Sequence, residues 1–186
     1  MLRRVADSAN AAQAHYQIWF TLRGAGQALP EYYQEMNNGS YVDFFHAANS
    51  GNYKLMYIEL GCLFDTDPKS TSIRNLKALL TEQGHNHYVN KIDAELREFA
   101  SLVPKMLTIR SKLIAHKEFG ASSEKIHQKY GVIPNEIGRL LDNVCGLLND
   151  INAALFDSGG SLIAVASKRY ERATFALLKT LRKAGS

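Results

Sequence analysis

The chain has 186 residues, 46% of them hydrophobic, and a formal net charge of +4. That length supports one ordinary core, so residues 1–186 are expected to form a single helical domain, and the mild basicity admits a nucleic-acid partner without requiring one. No apolar run approaches the length of a membrane span, and Met1-Leu-Arg-Arg-Val-Ala-Asp7 has no signal-peptide core, so the expectation is a soluble cytoplasmic protein with no membrane partner.

Helical periodicity dominates the chain and strand alternation is nearly absent. The first predicted helix runs from Ala6 to Arg23, with Ala12, Tyr16, Trp19 and Phe20 inward, and Gly24-Ala-Gly26 ends it. A polar connection over residues 34–40 leads to two predicted helices, Tyr41 to Asn49 and Tyr53 to Phe64. In the second, Tyr53, Met56, Tyr57, Leu60 and Phe64 recur every three or four positions. Asp65-Thr-Asp-Pro68 stops it, because proline disfavours helix in the residue before it. Ser70 or Ser72 then caps a short helix through Leu80, terminated by Gln83-Gly84.

A central helix is predicted from Val89 to Lys117, with Ile92, Leu96, Phe99, Val103, Met106, Leu107 and Leu113 as its apolar stripe. Pro104 interrupts it, predicting a kink or two abutting helices. Residues 117–131 are polar and hold at most one short helix. Asn135 to Leu155 forms a clear helix, Asp157-Ser-Gly-Gly160 breaks the chain, and Leu162 to Arg182 closes it. The predicted architecture is all-α, an up-and-down bundle of about five main helices.

Cys62 and Cys145 form neither a metal spacing nor a disulfide framework. Both lie in apolar runs and read as buried free thiols in a reducing compartment. Glu82-Gln-Gly-His85 and Glu124-Lys-Ile-His127 both spell Glu-x-x-His, the ligand pattern of di-metal bundles. The first carries Gly84 at a helix end and the second lies in a polar connection, with neither read as pointing into a core. No metal site and no cofactor is therefore expected. His85-Asn-His87 reads as a hydrated loop. Trp19, Tyr53, Tyr57 and Phe64 read as core. The last helix sets Lys168, Arg169, Arg172, Lys179, Arg182 and Lys183 against Glu171, either a phosphate-tracking stripe or a solvated face.

The stretch that carries chemistry is Thr108-Ile-Arg-Ser-Lys-Leu-Ile-Ala-His-Lys-Glu118. It sets Arg110, a fixed cation, near His116, whose ordinary titration lies close to neutrality. Acid–base chemistry on a phosphodiester needs such a combination. Short spacings of this kind also arise by chance. Residues six apart on a helix differ in direction by about 120°, so the pair converges only if the helix ends or loosens near Ala115.

This segment, above all Leu113-Ile-Ala-His116, resembles the Arg-x4–6-His signature of the HEPN superfamily, in its branch of abortive-infection proteins of the AbiU type. Softer matches agree in order: aromatics at Tyr16 and Trp19, a helix ending in Leu60-Gly-Cys-Leu-Phe-Asp65, a Ser72-capped helix, and Tyr130-Gly131 before a Leu-rich helix. The likeness spans roughly residues 10–156. It implies an all-helical homodimer whose two Arg–His sets share a basic cleft, with RNA as substrate and an antitoxin protein as a further partner. Many such proteins are metal-independent endoribonucleases of phage defence or toxin systems. Carried over, His116 acts as general base or acid at the RNA 2′-hydroxyl or the leaving 5′-oxygen. Arg110 stabilises charge on the phosphoryl group, and Ser111, Lys112 and Lys117 bind RNA or phosphate. Active members often have Asn, Asp or His after the arginine, where this chain has Ser111. The alternative is a non-catalytic HEPN bundle that binds RNA, nucleotide or a protein partner.

Overall fold

A computed structural model describes residues 1–23, 28–112, 123–156 and 168–185. The elements are α1 (Leu2–Leu22), α2 (Ala28–Glu31), α3 (Tyr33–Met36), α4 (Val42–Leu63), α5 (Ile73–Glu82), α6 (Asn86–Leu96), a 3-10 turn (Arg97–Phe99), α7 (Leu102–Arg110), α8 (Ser123–Tyr130), α9 (Pro134–Phe156) and α10 (Arg169–Gly185). Among the described residues there is no strand, so the fold is all-α as the periodicity predicts.

The longest seam joins α1 to α4. On α1, Val5, Ala6, Ala9, Ala12, Trp19 and Leu22 are buried at helical spacing, and on α4 so are Phe45, Tyr53, Met56, Tyr57, Leu60 and Leu63. Phe64, read as core, is only partly buried against it. The ring of Tyr16 rests directly on Gly138 of α9, where an added Cβ would lie 2.5 Å from the hydroxyl, so α1 and α9 meet closely at that point. Tyr16 stays protonated there, its hydroxyl pushed up by burial first and by Asp142 second.

Helix α6 lies on α9 through Ile92 and the buried α9 stripe of Ile137, Leu140, Leu141, Val144 and Leu148. A polar row runs beside that seam: Lys91 to Asp150 at 2.7 Å, Arg139 to Glu98 at 2.6 Å, and Asn143 donating to Glu95 at 3.1 Å. These pairs are exposed and contribute about 0–1 kcal/mol each. Each large buried aliphatic contributes about 1.5–3 kcal/mol, so the apolar stripe holds the seam and the charges only set its register.

A second, smaller core gathers Leu22, Tyr32, Met36, Phe45 and Leu178 at the end of α1. Helix α10 is fastened there from both ends. The Gln17 Oε1 atom accepts from the backbone N–H groups of Tyr170 (3.0 Å) and Glu171 (3.4 Å), capping the start of α10 from a neighbouring helix. Near the other end Arg182 pairs with Glu35, donates to the Glu31 carbonyl, and lies 4.1 Å from the centre of the Tyr32 ring.

Several expectations change. The two helices predicted over residues 41–64 are one, because Gly51 continues the helix with open space around its Cα. The central helix is two abutting helices, one of the two outcomes expected, but the break lies at Arg97–Ser101 and not at Pro104. Pro104 is the third residue of α7, in the first turn, where the missing N–H has no intrahelical partner to lose. His85 and His87 are not a loop: His85 precedes α6 and His87 lies in its first turn, its ring 3.8 Å from that of Tyr88. Ser72 is the cap of α5, accepting from Asn75 N–H at 3.5 Å, and Gly84 follows that helix at φ 79°. Of the closing helix predicted from Leu162 to Arg182, residues 162–167 lie outside the described residues, and α10 begins at Arg169, directly after Lys168.

Candidate functional site

Arg110 is the last residue of α7. Leu102, Met106 and Ile109 bury one face of that helix against the core, which turns Arg110, one residue on, toward α4. Its side chain is half-buried and lies across the backbone of Gly61 on α4. A Cβ built at Gly61 would collide with Arg110 Cδ, Nε and Cζ. The helical backbone continues through Ser111 and loosens into a wider π turn at residues 111–112, where both side chains are exposed. Arg110, Ser111 and Lys112 therefore stand together at one helix end. His116 and Lys117 lie outside the described residues, as do Leu113 to Ala115.

Arg110 is one of several cations with no carboxylate partner among the described residues; half-buried Arg23, lying over the Trp19 and Phe20 rings, is another. Several other cations are neutralised at the surface: Lys77 by Asp93, Lys91 by Asp150, Arg139 by Glu98, Arg182 by Glu31 and Glu35. Among the described residues no carboxylate pairs with Arg110. A half-buried guanidinium with no carboxylate on it keeps its donors for an external anion. Its charge is felt at Cys62, whose thiol is pushed up by burial and by Glu59 while Arg110 pulls it down. Cys62 is half-exposed rather than buried as expected, since it follows Gly61 on the flank of α4. Cys145 is fully buried and burial pushes its thiol up to about 12.

One turn before Gly61, on the same face of α4, Tyr57 makes a hydrogen bond between its Oη and Nε2 of His127 at 3.0 Å. The sequence reading puts His127 in a polar connection, away from any core. Instead it is the inward residue of α8, 4% exposed, with its ring 5.4 Å from Trp19 and 5.5 Å from Tyr53. Burial, and secondarily Tyr53 beside it, holds the Tyr57 hydroxyl well above its ordinary range. A cavity of about 230 Å³ adjoins this cluster, lined by Trp19, Arg23, His127 and Val132 among others. In the second Glu-x-x-His, His127 is engaged by Tyr57 through Nε2. Among the described residues no three His, Cys, Asp or Glu side chains gather.

Sequence reasoning missed Gly61 and the Tyr57–His127 pair. The signal for the first was an isolated glycine inside an apolar helix, which usually has a packing reason. The signal for the second was weaker, a histidine three residues before Tyr130 on a short helix whose apolar face was not recognised.

The fold is all-α, with Arg110 at the end of α7. Residues 2–174 match the AbiU2 family (HEPN_AbiU2), and the chain belongs to it. No curated protein and no solved structure matches the chain. No helix among the described residues is long and apolar enough to cross a membrane.

Proposed function

We propose that this protein is a metal-independent endoribonuclease of the toxin or phage-defence kind, acting in the cytoplasm as a homodimer with Arg110 and His116 as its working pair. The observation that carries this reading is the half-buried Arg110, without a carboxylate among the described residues, at the end of α7 in a chain of the AbiU2 family. In this reading Arg110 binds the phosphodiester and stabilises the charge that grows on its oxygens. His116 takes the proton from the 2′-hydroxyl or gives one to the leaving 5′-oxygen. Ser111, Lys112 and Lys117 hold the neighbouring backbone. The 2′-oxygen attacks the adjacent phosphorus as the P–O5′ bond breaks, which leaves a 2′,3′-cyclic phosphate and a free 5′-hydroxyl. DNA lacks the attacking oxygen and is not cut.

The test is cleavage of a mixed RNA pool by wild type, Arg110→Ala and His116→Ala in the presence of EDTA. Cyclic-phosphate ends are expected from wild type, with each variant slower by about a hundredfold or more. Ser111, in place of the Asn, Asp or His common in active members, favours a second reading: a non-catalytic module that binds RNA, nucleotide or a protein partner. Wild type that retains RNA but never cuts it would establish that reading instead.

A further inference from the structure

We propose that Gly61 is the positioning residue of Arg110: its bare Cα is the seat that fixes the guanidinium at the end of α7. The claim deepens the reading above, which needs a cation held in one place. Gly61 is buried in α4, one turn beyond Tyr57, and α4 packs directly against α7. What lies over its Cα is the distal part of Arg110: the three atoms nearest to an added Cβ are Cδ, Nε and Cζ of that side chain. An arginine ordinarily loses much rotamer freedom when it is fixed, and a flat backbone surface under its outer atoms removes that freedom before any ligand arrives.

Gly61 is set apart from the other glycine inside the same helix. Gly51 has nothing within 4 Å of where its Cβ would be. An alanine at an open helical glycine stabilises, because it lowers backbone entropy in the unfolded chain. An alanine at Gly61 must instead drive the guanidinium out. Because the colliding atoms are the far end of a flexible side chain, moving them costs little stability, so the two substitutions are expected to differ chiefly in where Arg110 lies.

Cys62 is a built-in reporter of where the guanidinium lies. Arg110 lowers its thiol while burial and Glu59 raise it. Displacing Arg110 removes the lowering influence, so thiolate forms at higher pH and alkylation at a fixed pH slows. Cys145, buried and pushed up to about 12, stays silent.

The experiment is a thermal double-mutant cycle on the full chain, with Cys62 alkylation and RNA cleavage read on the same proteins. Gly61→Ala is expected to stabilise less than Gly51→Ala, because the added methyl must first displace the outer atoms of Arg110. In the Arg110→Ala background that shortfall should vanish, since the colliding atoms are gone. Gly61→Ala and Arg110→Ala should each move the alkylation profile of Cys62 to higher pH. At a temperature where the protein is fully folded, Gly61→Ala should lower kcat about a hundredfold with a smaller change in KM, and Gly51→Ala should leave both unchanged. Additive effects in the cycle, or a folded Gly61→Ala protein with wild-type alkylation profile, overturn the proposal. So does full cleavage by Gly61→Ala where Arg110→Ala has lost it. Wild type that cuts no RNA sinks the ribonuclease reading alone, because the thermal cycle and the thiol profile still decide the seat.

Discussion

Asp142 shows how a single residue's surroundings fix the sign of a pH effect. It lies on α9, facing the Gln13 side chain of α1, which donates to its Oδ1 at 2.8 Å. Its side chain is exposed to solvent at the edge of the α1–α9 contact. The partial desolvation there raises its carboxyl above the ordinary range, with the Gln13 bond and the charge of Lys168 opposing it, so the effect on stability is small. A carboxyl whose folded value is raised favours the folded state when protonated. That contribution is full below the unfolded value and is lost as pH rises through the folded one. At neutral pH the charged form therefore costs stability. Asp142→Asn keeps an oxygen for Gln13 and removes the charge, so it should raise the unfolding temperature at pH 7. The gain should shrink steadily toward pH 4. Thermal unfolding across that range checks it, and a variant that is less stable at pH 7 would show that the carboxylate is worth more than its desolvation.

Among the elements, α10 depends most on contacts that a sequence pattern does not display. Its amphipathic face supplies Leu178 and Phe175 to the smaller core, yet its first turn is capped by a glutamine from α1. Losing a cap costs about 1 kcal/mol, and leaving its donors unpaired in a partly buried place adds to that. Gln17→Ala should therefore speed hydrogen exchange at the Tyr170 and Glu171 amides by about tenfold while amides in the middle of α4 stay protected. Arg182→Ala should do less, because its ion pairs with Glu31 and Glu35 are partly exposed and screened. Equal protection in wild type and Gln17→Ala would show that Leu178 alone fastens the helix.

Elsewhere the elements announce themselves. The apolar stripes of α1, α4 and α9 were legible because burial at a period of 3.6 leaves a mark on residue type. The Ser72 cap and the stop at Pro68 were legible because their chemistry is local. The gap expected between Asn49 and Tyr53 is absent because the helix simply spans Gly51, and Pro104 signalled a divided helix without marking its place, since the proline falls in a first turn. His127 and Gly61 were illegible for a different reason. Each takes its meaning from a residue far away in the chain, Tyr57 and Arg110, and no local pattern encodes that contact. Of the candidate site, the Arg110 end was legible as residue type and spacing, but not the α4 surface it lies on.

For the whole molecule, the proposed chemistry turns on assembly. One chain places a cation at the end of α7 and its histidine partner six residues on, and in an ideal helix those directions diverge by about 120°. The described helix widens into a π turn at residues 111–112. In the proposed dimer a second copy would bring its own Arg–His set to complete a phosphate-binding cleft. Such pairing sets two net-positive chains together, each formally +4, so it must rest on apolar burial strong enough to outweigh that repulsion. The molecule in solution should then weigh twice the 20.7 kDa of the chain. Light scattering on a dilution series should hold that mass into the low micromolar range, and added salt should tighten the dimer by screening like charge. The same salt should weaken RNA binding, whose affinity falls as counterions compete for the phosphates. Opposite salt responses in one protein separate the two interfaces. A dilution-independent monomer that still cuts RNA would leave the helix end at residues 111–112 to bring Arg110 and His116 together within a single chain.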